Sequence, residues 1–137
     1  MNKSLQLLAI ARKAQRLAVG EEPVGVVCRE GHARLVLIAQ DAAEHTFRRA
    51  QSFCRSGKPA YIRAPFTKQE LGAVLGCSVC ALCAVTDAAL AKAFLESLDA
   101  PEQYSAVLAE LSRLTERAAK RRREEKAHRK NVKFGKK

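Results

Sequence analysis

The sequence contains no tryptophan, and aromatic residues of all kinds make up only 5% of it. A core formed by these 137 residues must therefore be built from aliphatic side chains. The apolar share of 47% is typical of a folded globular chain rather than a disordered one. The length suits one domain and is too short for two of ordinary size.

The sequence also lacks a long apolar run and a recognisable leader. Its least polar stretch, residues 71–86, is too short to span a bilayer. The first residues place charges inside their apolar stretch and lack a cleavage site, unlike a signal peptide. Five cysteines, an odd number, then indicate free thiols in a reducing compartment. We therefore expect a cytoplasmic protein without membrane contact.

Acidic residues are scarce at the C-terminal end. From Arg117 onward the chain has eleven Lys and Arg residues against only Glu124 and Glu125, whereas the first 116 residues hold fourteen basic and twelve acidic side chains. Most of the formal net charge of +11 therefore belongs to a tail. Such a tail either binds polyanions or keeps the protein soluble as a solvated charged helix.

Hydrophobic periodicity predicts alternating helices and strands. Helices are expected over residues 3–16, 21–31, 42–56, 67–75 and 87–98. Strands are expected at 34–41, 60–64 and 81–85, with a short apolar piece at 17–19. Thr67 to Glu70 has the form of a capping box. Because strands alternate with helices, the sheet should be at least partly parallel and covered on both faces.

A break at residues 99–101 separates this pattern from a last helix. We predict a domain over 1–98 and a C-terminal helical basic extension over 99–137. An apolar stripe on the last helix packs on the domain or on a partner, and it consists of Tyr104, Leu108, Leu111, Leu114 and Ala118. Beyond Arg121 we expect fraying or disorder in the absence of a ligand.

Three cysteines, Cys77, Cys80 and Cys83, repeat at every third position and resemble the start of a ferredoxin cluster motif. The fourth cysteine and its proline are absent, and no second ligand pair suggests zinc. Residues 80–85 are predicted to form a buried strand, on which alternate side chains point to opposite faces. We therefore expect Cys80 and Cys83 to diverge and to act as apolar core residues, with no metal.

No catalytic constellation is evident. The sequence has three histidines, His32, His45 and His128. All three lie in polar stretches without an obvious Ser, Cys or carboxylate partner. Asp41 and Asp87 suit helix capping, and Gly72 and Gly76 lack the Lys-Ser/Thr that follows in a phosphate-binding loop. We predict a protein that is not an enzyme and uses no cofactor.

Read in order, "LAVGEEPV", "ARLVLIAQDA" and "TKQELG" resemble the superfamily of ribosomal proteins that bind kink-turn RNA, and most closely its small bacterial YlxQ-like branch. The resemblance covers residues 4–98. It implies a three-layer α/β/α sandwich with a mixed sheet of about four strands and no cofactor. It also implies a non-enzymatic role, which is to grip a sharply bent internal loop in structured RNA.

The resemblance further implies that three segments meet on the RNA: the start of the second helix, the turn after "LVLIA" and the loop before the last strand. The implied residues are Gly20, Glu21, Glu22, Pro23, Gln40, Asp41, Ser78, Val79, Cys80, Ala81 and Leu82. The family motif runs Gly-Ala-Asn-Glu with a lysine three residues later, and here Glu22 replaces the asparagine and Val26 the lysine. Ionised Glu22 accepts hydrogen bonds and repels phosphate, so base contacts at this position must differ from the family's.

We therefore predict a monomeric RNA-binding accessory protein of ribosomes or of ribosome assembly. Part of the affinity is expected to come from the tail, through Arg117, Lys120, Arg121, Arg122 and Arg123. The alternative is a protein–protein adaptor that docks a partner through the apolar stripe of the last helix.

Overall fold

A computed structural model of the protein describes residues 2–57, 59–98 and 102–134. Within these ranges strands and helices alternate as predicted, with ends that differ from the predicted ones by a few residues. The elements are α1 (Lys3–Lys13), β1 (Leu17–Val19), α2 (Glu21–Arg29), β2 (Leu35–Ile38), α3 (Glu44–Gly57), β3 (Ala60–Arg63), α4 (Lys68–Leu75), β4 (Leu82–Val85), α5 (Ala88–Ser97) and α6 (Ser105–Phe134). The predicted break at 99–101 lies outside the described residues.

The four strands form one sheet in the order β1-β4-β2-β3. β2 and β3 are parallel, whereas β4 pairs antiparallel with both β1 and β2. The sheet is therefore mixed, as expected. All residues of β2 and β4 are buried, which explains why their sequences are apolar without alternation.

Helices cover both faces of this sheet. On one face α1, α4, α5 and α6 pack on side chains such as Leu35, Leu37 and Val85. On the other face α2 and α3 pack on Val36 and Ile38, among others. The prediction of a three-layer α/β/α sandwich with a four-stranded mixed sheet is confirmed.

Local capping sets where several helices begin. The Thr67 hydroxyl accepts a hydrogen bond from the Glu70 amide at 3.1 Å, and the Glu70 carboxylate accepts one from the Thr67 amide at 2.9 Å. This is the predicted capping box, and it starts α4. The Asp87 carboxylate accepts a hydrogen bond from the Leu90 amide at 2.9 Å and starts α5 in the same way.

The apolar stripe of α6 packs on its own domain. Tyr104 and Leu111 are buried, and Leu108 and Leu114 lie half-buried against the same core. The adaptor hypothesis requires this stripe to be free for a partner, and the fold uses it internally instead.

The helix also extends further than predicted. Disorder was expected beyond Arg121, but α6 continues as one helix to Phe134. The reason lies in its composition of Ala, Arg, Lys and Glu, which are strong helix formers. Among the described residues no helix is both long enough and apolar enough to cross a membrane.

Candidate functional site

The strand pairing places the predicted loops at one edge of the sheet. Ile38 is paired with both Arg63 and Leu82, and Val19 is paired with Cys83. The ends of β1, β2 and β3 and the start of β4 therefore lie side by side. The segments that follow or precede them form one continuous surface, which we call the loop edge: residues 20–23, 40–41, 66–68 and 77–81.

Gly20 joins β1 to α2 at the loop edge. Its φ of 99° and ψ of 161° belong to a region that is open essentially to glycine alone. Its amide donates a hydrogen bond to the Leu82 carbonyl at 2.9 Å, which ties the start of α2 to the start of β4. Gly20 has no side chain with which to cap the helix. The first amides of α2 therefore remain available at the positive end of the helix dipole.

The three side chains that follow Gly20 differ in their surroundings. One carboxylate oxygen of Glu21 lies 3.8 Å from the Arg49 guanidinium on α3. Its other oxygen is buried with no hydrogen-bond donor among the described residues. Glu22 and Pro23 are exposed. Glu22 is therefore the acidic side chain that α2 presents to solvent at the loop edge.

The turn after β2 is held in place by the loop after β3. The Gln40 amide donates to the Phe66 carbonyl at 2.8 Å, and the Asp41 carboxylate accepts a hydrogen bond from the Lys68 amide at 2.8 Å. Asp41 is thus engaged in positioning this turn on the first residue of α4, as the capping prediction suggested. The Gln40 side chain remains exposed.

The loop before β4 is the third predicted segment. The Cys80 amide donates to the Lys68 carbonyl at 2.9 Å, and the Ala39 amide donates to the Ala81 carbonyl at 2.9 Å. Ser78 is exposed, and Val79 is 60% exposed, the most of any large apolar side chain among the described residues. Ala81 is half-buried. Cys80 and Leu82 are buried in the core, so only their backbone lies near the loop edge.

Sequence reasoning missed the cations that surround these loops. The Arg63 guanidinium lies 4.5 Å from the centre of the Phe47 ring and donates to the Gln40 carbonyl at 3.3 Å. Lys68 and Arg49 contribute two more charges at or beside the loop edge. The sequence indicated a partly parallel sheet but not which strands pair. Because β2 and β3 are the parallel pair, their carboxyl ends lie together and residues 66–68 form a fourth segment of the loop edge.

The predicted tail residues lie away from the loop edge. Near its start α6 passes Phe66, since Tyr104 and Phe66 line one hollow. It then runs to the opposite end of the sheet, where Arg117 and Arg121 line a hollow with Arg34. The side chains of Lys120, Arg122 and Arg123 are exposed. The tail therefore does not extend the surface formed by the loops.

The cysteine prediction needs one correction. Cys80 and Cys83 do not diverge, because β4 begins only at Leu82 and both thiols face the same core. A hydrogen bond from the Cys83 thiol lowers the pKa of Cys80, whereas that contact and burial raise the pKa of Cys83. Within the described ranges no group of three or more His, Cys, Asp or Glu side chains is placed to hold a metal ion.

Cys77 is expected to be the one thiol that reacts rapidly in the folded protein. It is exposed, while the other four cysteines are buried. Burial raises the pKa of Cys28 and raises that of Cys54 to about 12, so these two thiols are further protected. Iodoacetamide labelling followed by mass spectrometry should give a single early adduct, which Cys77→Ser abolishes. Early labelling of Cys83 would show that β4 opens in solution.

A family model describes residues 2–95 of this chain as the ribosomal protein L7Ae/L30e/S12e/Gadd45 family. The chain belongs to this family. The match runs from α1 into α5 and stops before α6. The RNA-binding proteins of the family are non-enzymatic, in agreement with the prediction from sequence.

Two relatives fit the same assignment. The RNA-binding protein YlxQ of Bacillus subtilis (strain 168) is 33% identical over 97 residues, which cover 68% of this chain and 92% of the relative. A solved structure of a protein of unknown function from Bacillus halodurans C is 28% identical, with a TM-score of 0.65, and covers 72% of this chain and 99% of that one. The predicted resemblance to the YlxQ-like branch is confirmed.

Proposed function

We propose that this protein binds structured RNA of the kink-turn type through the loop edge. The observation that carries the proposal is the convergence of the start of α2 with the loops that flank β2 and β4, in a chain of the L7Ae/L30e/S12e/Gadd45 family. The relative from B. subtilis is named for RNA binding. We further propose that the protein acts as a monomer in the cytoplasm, on ribosomes or during their assembly. In this role residues 1–98 are the RNA-binding domain and residues 99–137 are a basic extension.

The loop edge offers the three kinds of contact that folded RNA requires. The first amides of α2 and its dipole suit a phosphate or an electron-rich base edge. The exposed Gln40 and Ser78 side chains donate and accept hydrogen bonds. Val79 offers an apolar surface on which an unstacked base can rest. Bases displaced from a bent internal loop are recognised by this combination of stacking and edge contacts.

The charges at the loop edge select how RNA approaches. Glu22 repels phosphate and accepts hydrogen bonds from base amino or imino groups. Arg63 and Lys68, on the β3 side, attract the backbone instead. We infer that a base faces Glu22 while phosphates lie towards β3. This arrangement replaces the asparagine and lysine of the family motif with an acidic acceptor and a displaced set of cations.

Glu22→Arg is expected to change which RNAs are bound while leaving the fold intact. The side chain is exposed, so no packing is lost, and reversing its charge at the positive end of the α2 dipole should lower the unfolding free energy by about 1 kcal/mol at most. Crosslinking in cells followed by sequencing of the attached RNA shows which RNAs each protein binds. We expect the wild type to recover structured RNA enriched in ribosomal sequences, and the variant to recover a different and broader set.

Glu30→Arg is the matched control, because Glu30 is exposed at the other end of the same helix. It makes the same change of charge without touching the loop edge, and its crosslinked RNA should match that of the wild type. If Glu22→Arg and Glu30→Arg recovered the same RNAs as the parent, the loop edge would not be the recognition surface.

A further inference from the structure

A second concave surface lies at the end of the sheet opposite the loop edge. The Thr86 amide donates to the Arg16 carbonyl at 2.9 Å, and the Arg34 amide donates to the Val85 carbonyl at 2.8 Å. These bonds join the segments before β1 and β2 to the segment after β4. Two hollows of about 300 and 280 Å³ lie side by side there, with Arg34 and Thr86 in the lining of both, and we treat the pair as one groove. We call it the basic groove, and its polar lining includes Arg16, His32, Arg34, Thr86, Arg117 and Arg121.

Four guanidinium groups line the basic groove, and the described residues give none of them a carboxylate partner within 4.0 Å. The acidic side chain in the lining is Asp87, whose carboxylate already accepts the Leu90 amide. Glu110, earlier on α6, is paired with Arg113 at 2.6 Å. The groove therefore carries an excess of positive charge that the folded domain does not neutralise.

The position of these arginines is fixed by the fold. The Arg34 guanidinium donates through Nη1 to the Gly31 carbonyl at 2.9 Å and to the Ala33 carbonyl at 3.4 Å. Its Nε and Nη2 groups have no hydrogen-bond partner among the described residues. Arg16 is held by the hydrogen bond from Thr86 to its backbone. Arg117 and Arg121 are one helical turn apart on α6, which is anchored by the buried Leu111. The fold thus holds the Arg34 guanidinium and sets the backbone positions from which the exposed side chains of Arg16, Arg117 and Arg121 extend. Planar guanidinium groups suit the paired oxygens of phosphate.

We propose that the basic groove binds the phosphate backbone of a second RNA segment, so that the domain contacts one RNA at both ends of its sheet. This inference rests on the proposed function of the loop edge. The groove continues into the exposed cationic stretch of α6 at residues 120–123, which suits a long polyanion better than a short acidic peptide. The two surfaces are separated by the four-residue strands, about 13 Å, and by the loops at each end. A helical arm that leaves the bent RNA motif is the segment expected in the groove.

The test compares two RNAs: a minimal kink-turn RNA, and the same RNA with its helical arms lengthened. The wild type should bind the longer RNA more tightly and with a steeper salt dependence. Arg16→Gln combined with Arg34→Gln should lower affinity for the longer RNA roughly 20-fold at about 0.15 M salt. Each phosphate contact that is lost removes about 0.8 from the slope of log affinity against log salt, and the loss of two contacts is reckoned from about 1 M salt, where such contacts add little. Affinity for the minimal RNA should stay unchanged.

Arg48→Gln combined with Arg55→Gln is the control, because both side chains are exposed on α3, on the face of the sheet opposite α6. It removes the same charge and should leave both affinities close to those of the wild type. If the two double variants lowered affinity equally, RNA binding would depend on total positive charge and not on the groove, and the inference would be overturned. Equal affinity of the wild type for both RNAs would also overturn it, although minimal-RNA binding would still uphold the loop edge. Failure of the wild type to bind either RNA would overturn the proposed function as well. Tight binding of an acidic peptide in the groove, in place of the longer RNA, would overturn the inference and identify a protein partner.

Discussion

Removal of residues 117–137 is expected to weaken RNA binding and to flatten its dependence on salt. The deletion takes away eleven Lys and Arg residues and two glutamates. If about six of these cations neutralise phosphates, the slope of log affinity against log salt loses about 5 in magnitude. The tail then accounts for about a 10³-fold change in affinity between roughly 50 and 200 mM salt. Titration of a structured RNA at several salt concentrations measures both slopes.

The fold is expected to survive this deletion. Leu111 and Leu114, which anchor α6 on the domain, precede the cut, and the deleted described side chains are exposed or half-buried. Thermal unfolding should therefore differ little between the two proteins. A variant that changes charge in the opposite sense provides the control: Glu124→Lys with Glu125→Lys should steepen the slope, since both glutamates are exposed on the same helix. Identical slopes for the full-length and truncated proteins would contradict a role of the tail in RNA binding.

Much of the local structure follows from short stretches of sequence. The capping box at Thr67 and the cap at Asp87 are formed as predicted, because the residues that make each cap lie within one turn of each other. The unbroken apolar runs of β2 and β4 predicted buried strands, and every residue of both strands is buried. These features depend on neighbours in the chain, which a sequence displays directly.

Features that depend on distant residues could not be predicted in the same way. The groove joins Arg16, Arg34 and Thr86 through a sheet order that no local pattern encodes. The side-by-side thiols of Cys80 and Cys83 depend on β4 starting at Leu82, so that Cys80 lies before the strand and not on it as predicted. Within the loop edge, the family resemblance supplied three segments, while the fourth, at residues 66–68, becomes visible only when β2 and β3 are known to be parallel.

The position of α6 also changes how the charge of the tail should be interpreted. Composition alone places a large positive charge near the C-terminus, and it was expected to reinforce the loops. The structure anchors α6 beside α5 and directs its cationic part to the opposite end of the sheet. An RNA that contacts both surfaces must therefore extend along the domain. Such two-ended contact favours folded RNA over a short single strand.

Gly72→Ala is expected to disrupt RNA recognition from a position that is itself buried. A Cβ on Gly72 would lie 2.7 Å from the Ser78 carbonyl oxygen and 2.8 Å from that of Cys77. Both are backbone atoms, so the loop before β4 must move to make room. Because alanine favours helix by about 1 kcal/mol over glycine, part of the cost is offset, and we expect a net loss of about 1–2 kcal/mol in unfolding free energy.

The effect on binding should exceed the effect on folding. Moving Ser78 and Val79 removes a stacking surface worth about 1–3 kcal/mol per base, so affinity should fall about 10- to 100-fold while the protein remains folded. Gly31→Ala is the matched control: its φ of 77° makes an added methyl costly for stability, by about 1–2 kcal/mol, yet no atom lies within 4 Å of it and it is remote from the loop edge. Because the Gly31 carbonyl accepts a hydrogen bond from Arg34 of the basic groove, both variants are compared on the minimal kink-turn RNA, which does not reach that groove. Affinity measured below the unfolding range of both variants separates the two effects. Equal affinities for Gly72→Ala and Gly31→Ala would mean that the loop before β4 does not contact RNA. The RNA-binding surface would then consist of the start of α2 and the turn after β2.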